Sequence, residues 1–452
     1  MAFELPDGAG PGLLGTLHES LLGRPARRGR GAYYTPADVA ARLVGWAVAG
    51  LDRPVVLDPA CGGGAFLLEA ARHTDRLVAI DIDPLAVAVT EAALLLATGQ
   101  RPFTLVADAL VEPWPEADVV VGNPPFLSQL RSGTARTPER AAALGAKGYV
   151  DDAALFLLAA ARHAPRVALL QPESVVSAAS AAAIRDEVGP LVERIWVPDR
   201  PLFDAEVRVV GIVLDRRAAG IERWSSVLAD ARGVPAADLT AHGTLGERCD
   251  ITAGFRDEYY GLAPYVRERD GAPLITSGLI DPGVCRWGAA PASYGRQRWT
   301  APAVDLEGLA TSPLARWAER HLVPKVLVAT QTKVIEAVVD EAGAWLPCTP
   351  VLTVVPVDLD LWHALAVLLA PPVSAWALRE AGGAALSGDA TKLSATQLRS
   401  VPLPPAGTDW DEAAGALHGG DVLAAGVAMG RAYGVDVHGW WAARLPYRDG
   451  RD

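Results

Sequence analysis

Between Arg53 and Arg217, short uninterrupted apolar runs alternate with alanine- and leucine-rich stretches, and this rhythm constrains the fold most strongly. Pro54–Leu57, Leu77–Ile80, Phe103–Val106, Val119–Val121, Val167–Leu170 and Val207–Leu214 are continuous rather than alternating. Such runs predict strands buried on both faces. Ala65–Arg72, Pro84–Ala97, Ala153–His163 and Ala178–Val188 read as the helices between them. Strand and helix in regular succession imply an α/β fold with a doubly wound sheet. Its ligands are expected at the carboxyl ends of the strands, near the switch in strand order. After Arg217 the rhythm is lost. Residues 218–345 are rich in Gly, Pro, Trp and Tyr, and Asp358–Arg379 reads as an apolar helix broken by Pro371-Pro372. The expected layout is an amino-terminal arm over 1–30, an α/β domain over 31–217 and a second domain over 218–452.

Composition narrows the class. Half of the 452 residues are hydrophobic and 21% are charged, which excludes a disordered or fibrous chain. Cys61, Cys249, Cys285 and Cys348 lie far apart, so neither a disulfide framework nor a zinc finger is expected. The first ten residues carry Glu4 and Asp7 and no basic residue, against a secretory leader. No apolar run approaches the ~18 residues of a membrane span. A cytoplasmic protein with no membrane association is the expectation. The net charge of −12 should repel nucleic acid at long range, but it is unevenly spread. Residues 256–333 carry a net +2 and residues 334–452 a net −7, so an anionic partner should meet the middle of the chain.

The sharpest local signal comes directly after the first run: Asp58-Pro59-Ala60-Cys61-Gly62-Gly63-Gly64-Ala65-Phe66. Its glycines allow a tight turn and close approach to a ligand, and the next helix offers free N–H groups. Twenty-three positions after Asp58, the second run ends at Asp81, where a nucleotide-binding sheet grips ribose hydroxyls. The third run ends in Ala107-Asp108 and the fourth in Gly122-Asn123-Pro124-Pro125-Phe126. Taken singly, these are a plain loop, helix caps and a rigid proline turn. In order, each at a strand end, they place polar groups along one rim.

This set resembles the adenine-N6 DNA methyltransferases in which the catalytic domain precedes the target-recognition domain. The Asp58–Phe66 turn resembles their S-adenosylmethionine motif, Asn123-Pro124-Pro125-Phe126 their catalytic motif, and Tyr33-Tyr34-Thr35-Pro36 their Tyr-Thr-Pro segment. The resemblance covers residues ~30 to 215. More loosely, Pro324–Val339 with Leu352–Pro356, and Leu386-Ser387-Gly388 through Leu398–Pro404, look like fused recognition domains. It implies a Rossmann-like methyltransferase sheet followed by an α+β target-recognition domain. Asn123 and the Pro124 carbonyl would accept the two protons of an adenine amine, with Phe126 and Phe203 stacking on the base. Thr35, Asp58, Ala60, Gly62, Gly64, Phe66, Asp81, Asp108 and Asn123 would line the cofactor site. No metal is implied, and no His/Cys/Asp metal spacing occurs.

For DNA, residues 282–304 hold no acid but carry Arg286, Arg296 and Arg298 interleaved with Trp287, Tyr294 and Trp299. Arginine reads guanine edges and aromatics stack or wedge; a solvated loop over core tryptophans is the plainer account. Arg131, Arg136, Arg140 and Lys147 come after the catalytic motif, where they are expected to close over DNA. Arg24, Arg27, Arg28 and Arg30 form a third cluster that reads equally as a solvated arm. No lysine has an acid two positions before it, which argues against a fused nuclease. The resemblance thus implies sequence-specific methylation of adenine in double-stranded DNA, in a restriction-modification or phage-defence setting with a separate restriction or defence protein. A protein-glutamine or RNA N-methyltransferase, and a DNA-recognition subunit active only with a partner, are the alternatives.

Overall fold

A computed structural model describes residues 10, 12–21, 35–126, 140–142, 144–145, 151–203, 208–221, 224–254, 256–381 and 393–446. The chain divides into two compact units, Met1–Val227 and Leu228–Asp452.

The first unit is built on seven strands: β1 (Val56–Asp58), β2 (Leu77–Asp81), β3 (Phe103–Val106), β4 (Val119–Gly122), β5 (Arg166–Pro172), β6 (Val192–Trp196) and β7 (Val209–Asp215). Their order is β3-β2-β1-β4-β5-β7-β6, with β7 antiparallel to both neighbours and β1 to β5 parallel. The chain therefore winds outward from β1 to β3 and then returns to place β4 on the other side of β1. That reversal opens a crevice above the carboxyl ends of β1 and β4.

Five helices position the site: α1 (Leu13–Leu21), α2 (Ala37–Val48), α3 (Ala65–Ala70), α4 (Pro84–Thr98) and α5 (Asp152–His163). In α2, Val39, Ala40, Leu43, Val44, Ala47 and Val48 form one stripe that is buried on the sheet. They pack with Val56, Val119, Val121, Ala168 and Leu170 in a single core. In α4, Asp83 caps the first turn by accepting the Leu85 N–H, Pro84 begins the helix, and left-handed Gly99 ends it.

Three expectations change. β3 is a half-exposed edge, with Phe103 and Val106 each 56% exposed, because among the described residues no strand pairs with its outer side. The stretch Ala178–Val188 begins as a 3-10 turn, and only Ala182–Val188 is α-helical. The other edge, β6, is an additional strand. Its Glu193 and Arg194 point to solvent, and Arg194 lies 4.7 Å from the ring centroid of Trp46. Charged outward residues of this kind discourage pairing with another chain.

The second unit interleaves short strands with short helices and ends in a run of helices. β8 (Cys249–Ala253), β9 (Val266–Glu268), β10 (Ala272–Ile275), β11 (Ile280–Asp281), β12 (Val284–Cys285), β13 (Ala292–Tyr294) and β14 (Gln297–Trp299) come first. β15 (Pro302–Val304), β16 (Lys325–Val328), β17 (Ala337–Asp340), β18 (Leu346–Pro347) and β19 (Leu352–Pro356) complete the set. They form two four-stranded sheets, β18-β10-β15-β9 and β17-β16-β19-β8, and two small hairpins. The expected long helix is two, Leu361–Leu369 and Pro371–Ala381, with Pro371 opening the second, where its missing N–H is harmless. Among the described residues no single helix is long and apolar enough to cross a membrane; this bent pair passes by length and composition only. Its residues Ala364–Ala370 are buried in the core of the second unit.

Lys325 and Asp340 face each other across β16 and β17 and are 0% and 1% exposed. The ammonium donates to Asp340 Oδ2 and, at 3.2 Å, to the Val323 carbonyl. Asp340 also accepts the N–H groups of Ala344 and Trp345 at 3.0 and 2.9 Å, which closes the turn after β17. Lys325→Met, which strands the carboxylate, should lower stability by about 3–5 kcal/mol. Adding Asp340→Asn should restore part of it. Urea unfolding of the two variants measures both effects.

Candidate active site

The glycine turn is held from three sides. Asp58 ends β1, is 1% exposed, and its Oδ1 accepts the Ala60 N–H at 3.0 Å. Cys61 N–H donates to the Ile80 carbonyl and Gly62 N–H to Asp81 Oδ2, both at 2.9 Å, so β2 supports the turn directly. Asp81 Oδ1 accepts the Asp83 N–H at 2.9 Å, and the Thr90 hydroxyl donates to the Gly62 carbonyl at 2.9 Å. Gly64 has φ +83°, and a Cβ there would lie 3.1 Å from Thr90 Oγ1, so glycine is needed twice over. Burial pushes the Asp58 carboxyl up to about 8, with nearby Asp81 adding to the shift. Burial also raises Asp81, and it holds the Cys61 thiol well above its ordinary range, as an inert packing group.

Helix α1 rests on this turn. A Cβ on Gly63 would come within 2.5 Å of the Gly15 Cα, and one on Gly15 within 2.7 Å of the Gly63 carbonyl oxygen. Backbone meets backbone, and neither position has room for a side chain.

Beside the turn, β4 ends at Gly122, whose φ is +153° and whose Cβ would lie 2.7 Å from Asp58 Oδ1. Any larger residue would drive the two strand ends apart. The chain then presents Asn123, whose Nδ2 donates to the Thr35 hydroxyl at 3.0 Å. Thr35 is 4% exposed and lies just before the start of α2, so a helix entrance fixes the amide orientation. Phe126, three residues on, faces Phe203 with ring centroids 6.3 Å apart and planes inclined at 57°. Two aromatic rings from different loops thus meet at the end of the Asn123 loop.

Asp108, beyond β3, accepts the Leu110 N–H at 3.2 Å through Oδ1. Its Oδ2 accepts Arg140 Nε and Nη2 at 3.1 and 2.7 Å, and Arg140 also pairs with Asp152. Arg140 is 12% exposed at its side chain, which removes it from the group expected to close over DNA. Phe66, expected at the cofactor, is 2% exposed and anchors α3 in the core with Leu43 and Val56. Thr35, expected at the cofactor, accepts from Asn123, which is expected there too.

Arg131, Arg136 and Lys147 lie outside the described residues, as do Tyr33, Tyr34, the cluster Arg24–Arg30 and Leu386-Ser387-Gly388. In the second unit Tyr294 is buried, and Trp287 and Trp299 donate their indole N–H groups to the carbonyls of Pro302 and Tyr294. The aromatics of this stretch are thus anchors. Arg296 and Arg298 are exposed, while Arg286 lies 3.4 Å from Asp281. Arg296 has φ +63° beside Gly295 at +60°, a two-residue hairpin turn in which a side chain is unusual. Among the described residues no group of three or more His, Cys, Asp or Glu is placed to hold a metal ion.

Residues 10–189 match the model of the N-6 DNA methylase family. The Type II methyltransferase M.XamI of Xanthomonas campestris pv. amaranthicola is 33% identical over 116 residues, 24% of this chain. The match spans about a fifth of that relative's length (21%). Among solved structures, the type IIG restriction endonuclease BpuSI aligns with a TM-score of 0.45 and 13% identity, over 94% of this chain and 68% of that one. The methyltransferase subunit of a type I restriction-modification system from Streptococcus thermophilus aligns with a TM-score of 0.37 and 22% identity. That alignment covers 48% of this chain and 51% of the other.

The Gly15–Gly63 contact makes a direct prediction. Gly63→Ala should lift α1 from the turn at a cost of about 1–3 kcal/mol, the usual penalty of overpacking. Hydrogen exchange over Leu13–Leu21 should then rise while exchange in β1 and β4 stays slow.

Proposed function

Because residues 10–189 match the model of the N-6 DNA methylase family, whose cofactor is S-adenosylmethionine, we propose that the chain methylates the N6 amine of adenine in duplex DNA. The observation that carries this reading is Asn123, oriented by Thr35 at the crevice between β1 and β4, with Phe126 and Phe203 beside it. A restriction-modification role, with a separate restriction or defence protein as partner, is the biological setting we infer.

The cofactor, when bound, supplies an electrophilic methyl group. The chain's own task is to make a poor nucleophile attack it. An exocyclic adenine amine is flat and unreactive because its lone pair is delocalised into the ring. Asn123 Oδ1 and the Pro124 carbonyl accept hydrogen bonds from its two N–H groups, which favours a tetrahedral nitrogen and aims its lone pair. Acceptors fixed in place also stabilise the positive charge that develops there. Neither acceptor reaches a stacked base, so the adenine leaves the duplex, at a cost of a few kcal/mol, and enters between Phe126 and Phe203.

The cofactor site is read from the same rim. Gly62 and Gly64 keep the turn bare beneath the methionine portion, Asp58 faces its amino group, Asp81 the ribose and Asp108 the adenine amine. Asp58 supports this assignment because its buried carboxyl holds its proton to about pH 8, whereas an adjacent ammonium would favour the carboxylate. Arg286, Arg296 and Arg298 are proposed to contact DNA from the second unit, the two exposed arginines from a hairpin whose aromatics point inward.

Asn123→Ala should lower methyl transfer to duplex DNA by at least about a hundredfold, as loss of one fixed polar partner does elsewhere. Calorimetry should show cofactor affinity within a few-fold of the original. Unchanged transfer to DNA, or labelling of a glutamine peptide or RNA in its place, would reject the assignment. Cofactor binding at pH 7 should release a proton from Asp58, so affinity should climb as pH rises toward 8 and level off above. Calorimetry in buffers of different ionisation enthalpy measures the release, which Asp58→Asn should abolish.

A further inference from the structure

Arg140 lies fourteen residues after Phe126 and is drawn into the rim rather than left in solvent. Its guanidinium divides its donors between two carboxylates from distant parts of the chain. Nε and Nη2 go to Asp108 Oδ2 at 3.1 and 2.7 Å, and Nη1 goes to Asp152 Oδ2. Asp152 is the first residue of α5, is 0% exposed, and sits next to the cap Asp151, which accepts the Ala153 N–H at 2.9 Å. The loop after β3 is thereby fastened to the start of a core helix through one planar group. Lysine, with a single point charge, cannot reproduce that fork.

We propose that Arg140 is a positioning residue for the cofactor's adenine, holding the Asp108 carboxylate in the one orientation that accepts the 6-amino group. This rests on the proposed role of Asp108 as the acceptor for that amine. A carboxylate offers about four acceptor sites. The two on Oδ2 are taken by Arg140, and one on Oδ1 is taken by the Leu110 N–H. The second site of Oδ1 is the one left to receive an adenine N–H. Release of Oδ2 would let the carboxylate rotate and blur this selection without emptying the site.

The test compares binding of S-adenosylhomocysteine with that of its analogue carrying hydrogen in place of the 6-amino group, by calorimetry on the full chain. The original protein should prefer the amino compound by about tenfold or more, the worth of a hydrogen bond to a charged group. Arg140→Lys should erase most of this preference while the analogue binds about as before. A merely structural loss would weaken both ligands equally and would overturn the proposal. So would full preference in Arg140→Lys beside its loss in Asp108→Ala, a result that leaves the role of Asp108 standing. Preference retained in Asp108→Ala removes that role and the proposal with it. Should Arg140→Lys fail to fold, Asp152→Asn loosens only the far tether. A reduced preference there supports the proposal, and an unchanged one defeats it.

Discussion

Asp58 and Gly122 touch where the strand order reverses, and the arrangement of the first unit depends on that contact. β1 and β4 are neighbours, yet their chains leave in opposite directions, so the space above their ends must be bridged by the loops that leave them. One side supplies a bare turn and a buried carboxyl; the other supplies a glycine small enough to lie against it. A residue with a side chain at position 122 would spread the two ends and carry Asn123 away from the turn. The proposed chemistry is thus set by the absence of an atom as much as by the presence of a functional group.

Around this contact, polar side chains are held by groups from other elements. Asp81 binds the N–H groups of Gly62 and Asp83, Thr90 binds the Gly62 carbonyl, and Thr35 binds the Asn123 amide. None of these bonds contributes much alone, since a typical net value is about 1 kcal/mol. Together they fix directions, which is what a reaction governed by orientation requires. The second unit uses the same logic for a structural end. Lys325 and Asp340 are buried but leave the turn after β17 fully bonded.

Much of this was legible in the residues. Continuous apolar runs marked β1, β2, β4 and β5 because a strand covered on both faces has no polar side to show. β6 is not legible in the residues because Val-Glu-Arg-Ile-Trp is short and a bulge between Val192 and Arg194 leaves two charged residues side by side, which breaks any alternation. β3 read as buried because its composition is apolar, although position in the sheet, which no local window contains, exposes Phe103 and Val106. The glycine turn and the Asn123 loop announced themselves. Their partners did not. Thr35 lies 88 residues from Asn123, and Arg140 lies 32 from Asp108. Pairings over such distances depend on topology, so Arg140 looked like one more cation in a basic stretch. Phe66 shows the reverse case: its place in a motif points to a ligand, while no local window reveals that it also packs in the core.

The abutment of Gly15 and Gly63 has an evolutionary corollary. Two glycines that exclude each other's side chains make every single change at the pair costly, because enlarging either one meets main chain rather than a yielding rotamer. Lineages descended from this chain should therefore keep or lose the pair together. Where the first helix has been deleted or re-sited, the middle glycine of the triplet should be the one free to drift.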